Sequence, residues 1–181
     1  MIENGSLLIL GLGNVLCGDD GLGVAAAGRL ARCYEGPPDV RILDGGTLGL
    51  SLLALLEESE NILLLDAVQM DEKPGSLVRL EGEQVGPAVY ERLSPHQVGV
   101  ADLLSAMRLR EQLPKRLLLL GLVPATLELG LGRSPEVEAA LPLLVERTVE
   151  ECDRLGFSLR ARESDALEPG NPWNTLAAFG L

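Results

Sequence analysis

The chain has 181 residues, a formal net charge of −12, 46% hydrophobic and 23% charged residues. This length and composition fit one globular domain with a sizeable core, not two domains or a disordered chain, and the negative charge argues against a nucleic-acid partner. Cys17, Cys33 and Cys152 form no CxxC pair, and residues 1–6 carry no basic region ahead of an apolar run that Gly11 and Gly13 cut short, so a cytoplasmic protein with neither signal peptide nor membrane span is expected.

Residues 7–10 are a short apolar run that leaves through Gly11-Leu12-Gly13-Asn14, the pattern of a buried strand and its exit turn. Residues 21–34 follow with Leu22, Ala25, Ala26, Leu30 and Cys33 at helical spacing, stopped by Gly36-Pro37-Pro38. A second strand is predicted over 40–43, running into Asp44-Gly45-Gly46-Thr47, and a helix over 48–57. A third buried strand over 62–65 ends at Asp66. Pro74-Gly75 marks a turn before an edge strand at 77–80. A helix over 98–110 and an apolar strand over 117–122 come next. Ser134-Pro135-Glu136 is a helix start, with Ser as N-cap, Pro at the first helical position and Glu in the first turn, and an amphipathic helix continues to residue 155. Residues 1–157 are thus expected to form one α/β domain. Residues 158–181, richer in charge, Pro and Gly, are expected to be a C-terminal appendage that packs loosely or is disordered.

Continuous apolar strands alternating with helices predict a doubly wound, mostly parallel sheet of about five strands with helices on both faces. Ligands of such sheets bind outside the carboxyl ends of the strands. Asp20, after the first strand, and Asp44 and Asp66, closing the second and third, are expected to converge there. His96 is the only histidine and sits in Ser94-Pro95-His96-Gln97, at or just before a helix start. A helix N-terminus disfavours the imidazolium and keeps the ring available to a metal. A structural histidine and a capping Asp19-Asp20 turn are the plain alternatives. Gly11-Leu12-Gly13 is not a dinucleotide site: position 16 is Leu16 where the third glycine would stand, and two carboxylates follow where a pyrophosphate would sit.

In this order, the string from Gly11 to Val24, then Asp44-Gly45-Gly46-Thr47, Leu65-Asp66-Ala67, His96-Gln97 and Gly130-Leu131-Gly132-Arg133-Ser134-Pro135-Glu136-Val137 resemble the hydrogenase maturation proteases. These endopeptidases trim the C-terminus of the large subunit of nickel–iron hydrogenases. The resemblance implies that Asp20, Asp66 and His96 bind nickel, with Asp20 where many relatives carry Glu. It implies that the nickel arrives in the hydrogenase precursor and is sensed there, so that it need not be a permanent cofactor. Asp20 and Asp66 are also the candidate catalytic carboxylates. Two carboxylates and an imidazole would accept Zn²⁺ as well as Ni²⁺. Metal-activated water and carboxylate-activated water both remain open as the cleaving species. Cys17 lies outside the family pattern, as a further soft ligand or a small packed thiol. Asp19 is expected to hold its loop, and Asp44 to support a ligand or end its turn. Residues 69–75, next to Asp66, are the first candidate for gripping the precursor. A non-catalytic metal-binding chaperone of the precursor and a peptidase for an unrelated protein are the other functions considered.

Overall fold

The computed structural model describes residues 5–90 and 100–162. The element order is β1 (Leu7–Leu12), α1 (Leu22–Cys33), β2 (Tyr34–Glu35), β3 (Val40–Gly46), α2 (Leu53–Glu57), β4 (Asn61–Ala67), β5 (Leu77–Glu81), α3 (Val85–Tyr90), α4 (Val100–Leu109), β6 (Arg116–Leu122), α5 (Pro135–Leu155) and β7 (Arg160–Ala161). Five strands form one sheet in the order β3-β1-β4-β6-β5. Its pairs are parallel except β5 against β6, which is antiparallel. The predicted architecture is therefore present, with β5 at one edge, as expected, and β3 at the other.

Strand alternation divides the core into two layers. Leu7, Ile9, Leu63, Leu65, Leu118 and Leu120 face α1 and α5, where Ala26, Leu30, Leu141 and Leu144 meet them. Leu8, Leu10, Ile62, Leu64 and Leu119 face the other way, against Leu56, Val85, Leu103 and Met107 of α2, α3 and α4. Both faces of β1 and β4 are buried, which is why these strands read as unbroken apolar runs. Each fully buried Leu contributes about 1.5–3 kcal/mol of transfer free energy.

The predicted boundaries shift where local chemistry intervenes. The helix expected over 48–57 opens as a 3₁₀ turn, Gly49–Leu52, and becomes α-helical only at Leu53, since Gly49 has a φ of +53°. The helix before residue 34 is likewise preceded by a 3₁₀ turn, Gly18–Gly21. The Ser134 hydroxyl accepts from the Val137 N–H at 3.3 Å, with Pro135 in the first turn of α5, as its sequence predicts. Two features are absent from the sequence reading. One is α3. The other is the short antiparallel pair of β2 with β7, which joins Tyr34 to Ala161. Phe157 and Leu159 are buried on the way to it. Residues 163–181 lie outside the described residues. Among the described residues, no helix is long and apolar enough to cross a membrane.

Candidate active site at the carboxyl edge of the sheet

The chain reverses its direction of travel across the sheet at β1, which has β3 on one side and β4 on the other. At such a point, the loops that follow neighbouring strands part and leave a crevice beyond the carboxyl ends. Asp20 lies in the connection leaving β1, and Asp66 is near the end of β4, so both stand at the carboxyl edge of these neighbouring strands.

Backbone packing positions each of them. At Gly13 φ is +116°, and a Cβ there would stand 1.8 Å from the Asp20 carbonyl oxygen. Only glycine lets the chain fold back so closely. The returning Asp20 carboxylate accepts the Asn14 N–H at 2.7 Å, which ties the two ends of the loop. Gly23 then presses the first turn of α1 into the sheet: a Cβ there would lie 2.0 Å from the Leu65 carbonyl oxygen and 2.5 Å from that of Leu12. This contact seats the segment around Asp20 against the end of β4, one residue before Asp66. The glycines of this loop thus serve close packing, in keeping with the absence of a dinucleotide fingerprint.

Asp66 is only 4% exposed. Its Oδ1 accepts the Ala67 N–H at 2.8 Å. By strand alternation it shares the face of Leu64, on the side covered by α2 and α4. Opposite it in β6 is Gly121, where a Cβ would lie 2.1 Å from the Asp66 carbonyl oxygen. Gly121 was not singled out by sequence reasoning, although a glycine inside an otherwise apolar strand signals close backbone approach.

Asp19 has a different role from its neighbour. It is fully buried. Its Oδ2 accepts the N–H groups of Ala125 and Thr126 at 2.8 and 3.2 Å, and its Oδ1 that of Ser134 at 2.6 Å. Burial alone would raise its pKa, but hydrogen bonds from Ser134, Ala125 and Thr126 hold it below the ordinary carboxylate value. Asp19 thereby fastens the connection between β6 and α5 to the Asp20 loop. The Asp19 N–H also donates to the Thr126 carbonyl at 3.1 Å.

Asp44 pairs with Gly11 in the sheet, as does Leu65 from the other side of β1. Asp44 and Leu65 are therefore two strand spacings apart, about 10 Å. Asp44 is exposed and accepts a hydrogen bond from the backbone of Gly46 in its own turn. It reaches the predicted edge, but on the outer side of β1. Cys17 is half-buried with a free thiol and bridges in parallel to Gly130. Burial pushes the Cys152 thiol up to about 12, leaving it inert at neutral pH. Residues 69–75 form the first part of the connection from β4 to β5 and cross the end of β6, where the Gly75 N–H donates to the Val123 carbonyl at 2.8 Å. His96 lies outside the described residues. Among the described residues, no three metal-ligating side chains form a cluster. Chemically, a pair of carboxylates at one crevice can share a cation or pass a proton.

Comparison with known proteins gives concordant results. The family model described as hydrogenase maturation protease matches residues 24–151. The hydrogenase 2 maturation protease of Escherichia coli K12 is 36% identical over 159 residues, covering 87% of this chain and 97% of that protein. The hydrogenase expression/formation protein HupD of Rhodobacter capsulatus is 37% identical over 156 residues, covering 84% and 74%. Among solved structures, the hydrogenase maturating endopeptidase HybD from E. coli superposes with a TM-score of 0.82 at 35% identity, covering 87% of this chain and 98% of that one. The [NiFe] hydrogenase maturation protease HybD from Thermococcus kodakarensis gives a TM-score of 0.62 at 30% identity, covering 81% and 98%.

Proposed function

The chain belongs to the hydrogenase maturation protease family, and from that premise we propose that it is a nickel-sensing endopeptidase, which removes the C-terminal extension of a nickel–iron hydrogenase large-subunit precursor once nickel has been inserted. What supports this reading is that Asp20, in the connection leaving β1, and Asp66, near the end of the neighbouring strand β4, both stand at the carboxyl edge of the sheet. His96, four residues before the first residue of α4, is the third member of the proposed set. Helix α4 packs on the sheet face that Asp66 shares, which supports bringing the three together.

Two carboxylates and a neutral imidazole are borderline donors suited to nickel. The ion is part of the substrate: it arrives bound to the precursor, and Asp20, Asp66 and His96 take up its open positions. Engagement holds the polypeptide just beyond the metal motif against the carboxylates. Water is the nucleophile. Either carboxylate accepts its proton as the new C–O bond forms, and the proton passes to the departing amine as the C–N bond breaks. A serine– or cysteine–histidine pair would have to use the single histidine, in competition with the metal. The reaction takes place in the cytoplasm, where free thiols such as Cys17 persist.

The test is the mass of the purified nickel-loaded precursor before and after incubation. The wild-type protein is expected to remove the extension, and the His96→Ala variant to leave it in place. An unchanged precursor with the wild-type protein would contradict the reading and favour a metal-binding chaperone. Full cleavage by His96→Ala would remove His96 from the site.

A further inference from the structure

Between Gly13 and Asp20 the chain makes two turns in succession. The Cys17 N–H donates to the Asn14 carbonyl at 3.0 Å, and the Asp20 N–H donates to the Cys17 carbonyl at 3.0 Å. The main chain of Asp20 therefore stands on the end of the turn that Asn14 opens. Its side chain is tied to the beginning of that turn, because Asp20 Oδ2 accepts the Asn14 N–H at 2.7 Å. The loop closes on itself, with Asn14 and Asp20 at the closure.

The side chain of Asn14 holds the first of these turns. Its Oδ1 accepts the Leu16 N–H at 3.0 Å, a side-chain copy of a backbone turn that asparagine forms readily. One residue thus grips the turn through its carbonyl and side chain, and the Asp20 carboxylate through its N–H. The flanks are anchored separately. The Gly13 N–H donates to the Gly46 carbonyl at 3.1 Å, and the Gly18 N–H to the Gly130 carbonyl at 2.9 Å. Removing the Asn14 side chain therefore leaves the loop attached on either side and releases its middle, where the direction of the Asn14 N–H is set. Val15 and Leu16, within the turn, are exposed, so the loss falls on the geometry of the loop more than on the core.

We propose that Asn14 is a positioning residue for the cleavage reaction: its side chain holds the turn whose N–H aims the Asp20 carboxylate. This rests on the reading of Asp20 as a working carboxylate of the protease. Asn14 touches neither metal nor peptide in this account and acts only through Asp20. Small misplacements of a reacting group are costly to rate, so a residue that fixes the direction of Asp20 affects cleavage more than it affects folding.

The experiment follows cleavage of purified nickel-loaded precursor by mass, at a temperature well below the unfolding midpoint of every protein used. The proteins are the wild type, Asn14→Ala, Asn14→Ser, Asp20→Asn and the double variant Asn14→Ala/Asp20→Asn. Asn14→Ala is expected to lower kcat/KM about tenfold. Asn14→Ser keeps a short oxygen acceptor and should recover most of that loss. The double variant should be no slower than Asp20→Asn, because a residue that acts through Asp20 then has nothing left to position. Wild-type kcat/KM in Asn14→Ala would overturn the proposal, as would an Asn14→Ser protein as slow as Asn14→Ala. A further tenfold loss in the double variant would also overturn it and assign Asn14 to the stability of the loop alone. These three results, with normal cleavage by the wild type, strike the positioning role and leave the protease reading standing. A wild-type protein that leaves the precursor intact contradicts the protease reading and takes the positioning role with it.

Discussion

Four buried or half-buried carboxylates among the described residues fall into two regions with different surroundings. Behind the site and at the β5–α5 corner, Asp19 and Glu151 are surrounded by donors from distant parts of the chain. Asp19 receives three backbone N–H groups from the β6–α5 connection, and Glu151 receives Arg79 from β5 at 2.9 Å and Arg154 from its own helix. At the carboxyl edge, Asp20 and Asp66 instead take N–H groups from within a few residues, Asn14 and Ala67. The first pair joins elements, and the second is held in place at a crevice. Adjacent positions 19 and 20 share a residue type but differ in burial, Asp19 being fully buried and Asp20 half-buried. The hydrogen bonds described for them differ too: those to Asp19 tie the β6–α5 connection, and that to Asp20 closes its own loop.

The comparison makes predictions of decreasing size. Asp20→Asn and Asp66→Asn should each reduce precursor cleavage by about 10²-fold or more, measured as initial rates, because proton transfer and charge at the reacting centre are lost. Their unfolding free energies should change by less than about 1 kcal/mol. Asp19→Asn should do the reverse in kind. It removes a charged acceptor of three N–H groups and is expected to cost about 2–4 kcal/mol in urea unfolding. Any loss of cleavage should be restored by conditions that refold the variant. A stable Asp19→Asn protein without activity would break the distinction.

Gly121→Ala should cost about 1–3 kcal/mol by crowding the Asp66 carbonyl, and should reduce kcat through displacement of Asp66. At the β5–α5 corner, burial would raise the Glu151 carboxyl, but hydrogen bonding to Arg79 and the charges of Arg79 and Arg154 hold it below the ordinary value of 4.5. A folded pKa below the unfolded one means that this group's contribution is complete above pH 4.5 and is lost as pH falls through the folded pKa. Urea unfolding from pH 7 downwards should therefore show a smaller acid-induced loss in Glu151→Gln than in wild type. Parallel curves would contradict the assignment. The smallest effect is expected at Asp44→Asn. Its exposed carboxylate serves its own turn, so stability should move by less than about 0.5 kcal/mol.

Much of the framework around the candidate site was legible in the sequence because the relevant signals are local. Buried parallel strands such as β1 and β4 appear as unbroken apolar runs, and a strand end followed by Asp66 is a sequence feature. Ser134-Pro135 announces α5 directly. The unread parts depend on partners far along the chain. The three donors to Asp19 come from more than a hundred residues away, and the two-residue strands β2 and β7 exist only through each other. Helix α3 has six residues, Val85–Tyr90, with Gly86 and Pro87 near its start, too short for a helical period to emerge. Gly121 looks unremarkable until Asp66 is placed across from it. His96 is a special case: its role is an expectation from its uniqueness, its sequence context and the family resemblance, and it lies outside the described residues.

The central claim is that the carboxylates at the β1–β4 crevice read nickel in the substrate. Its most direct test compares cleavage of one large-subunit precursor in nickel-loaded and nickel-free forms by the same wild-type protein, followed by mass. The account predicts removal of the extension from the loaded precursor and an intact nickel-free precursor. Equal processing of both would contradict it.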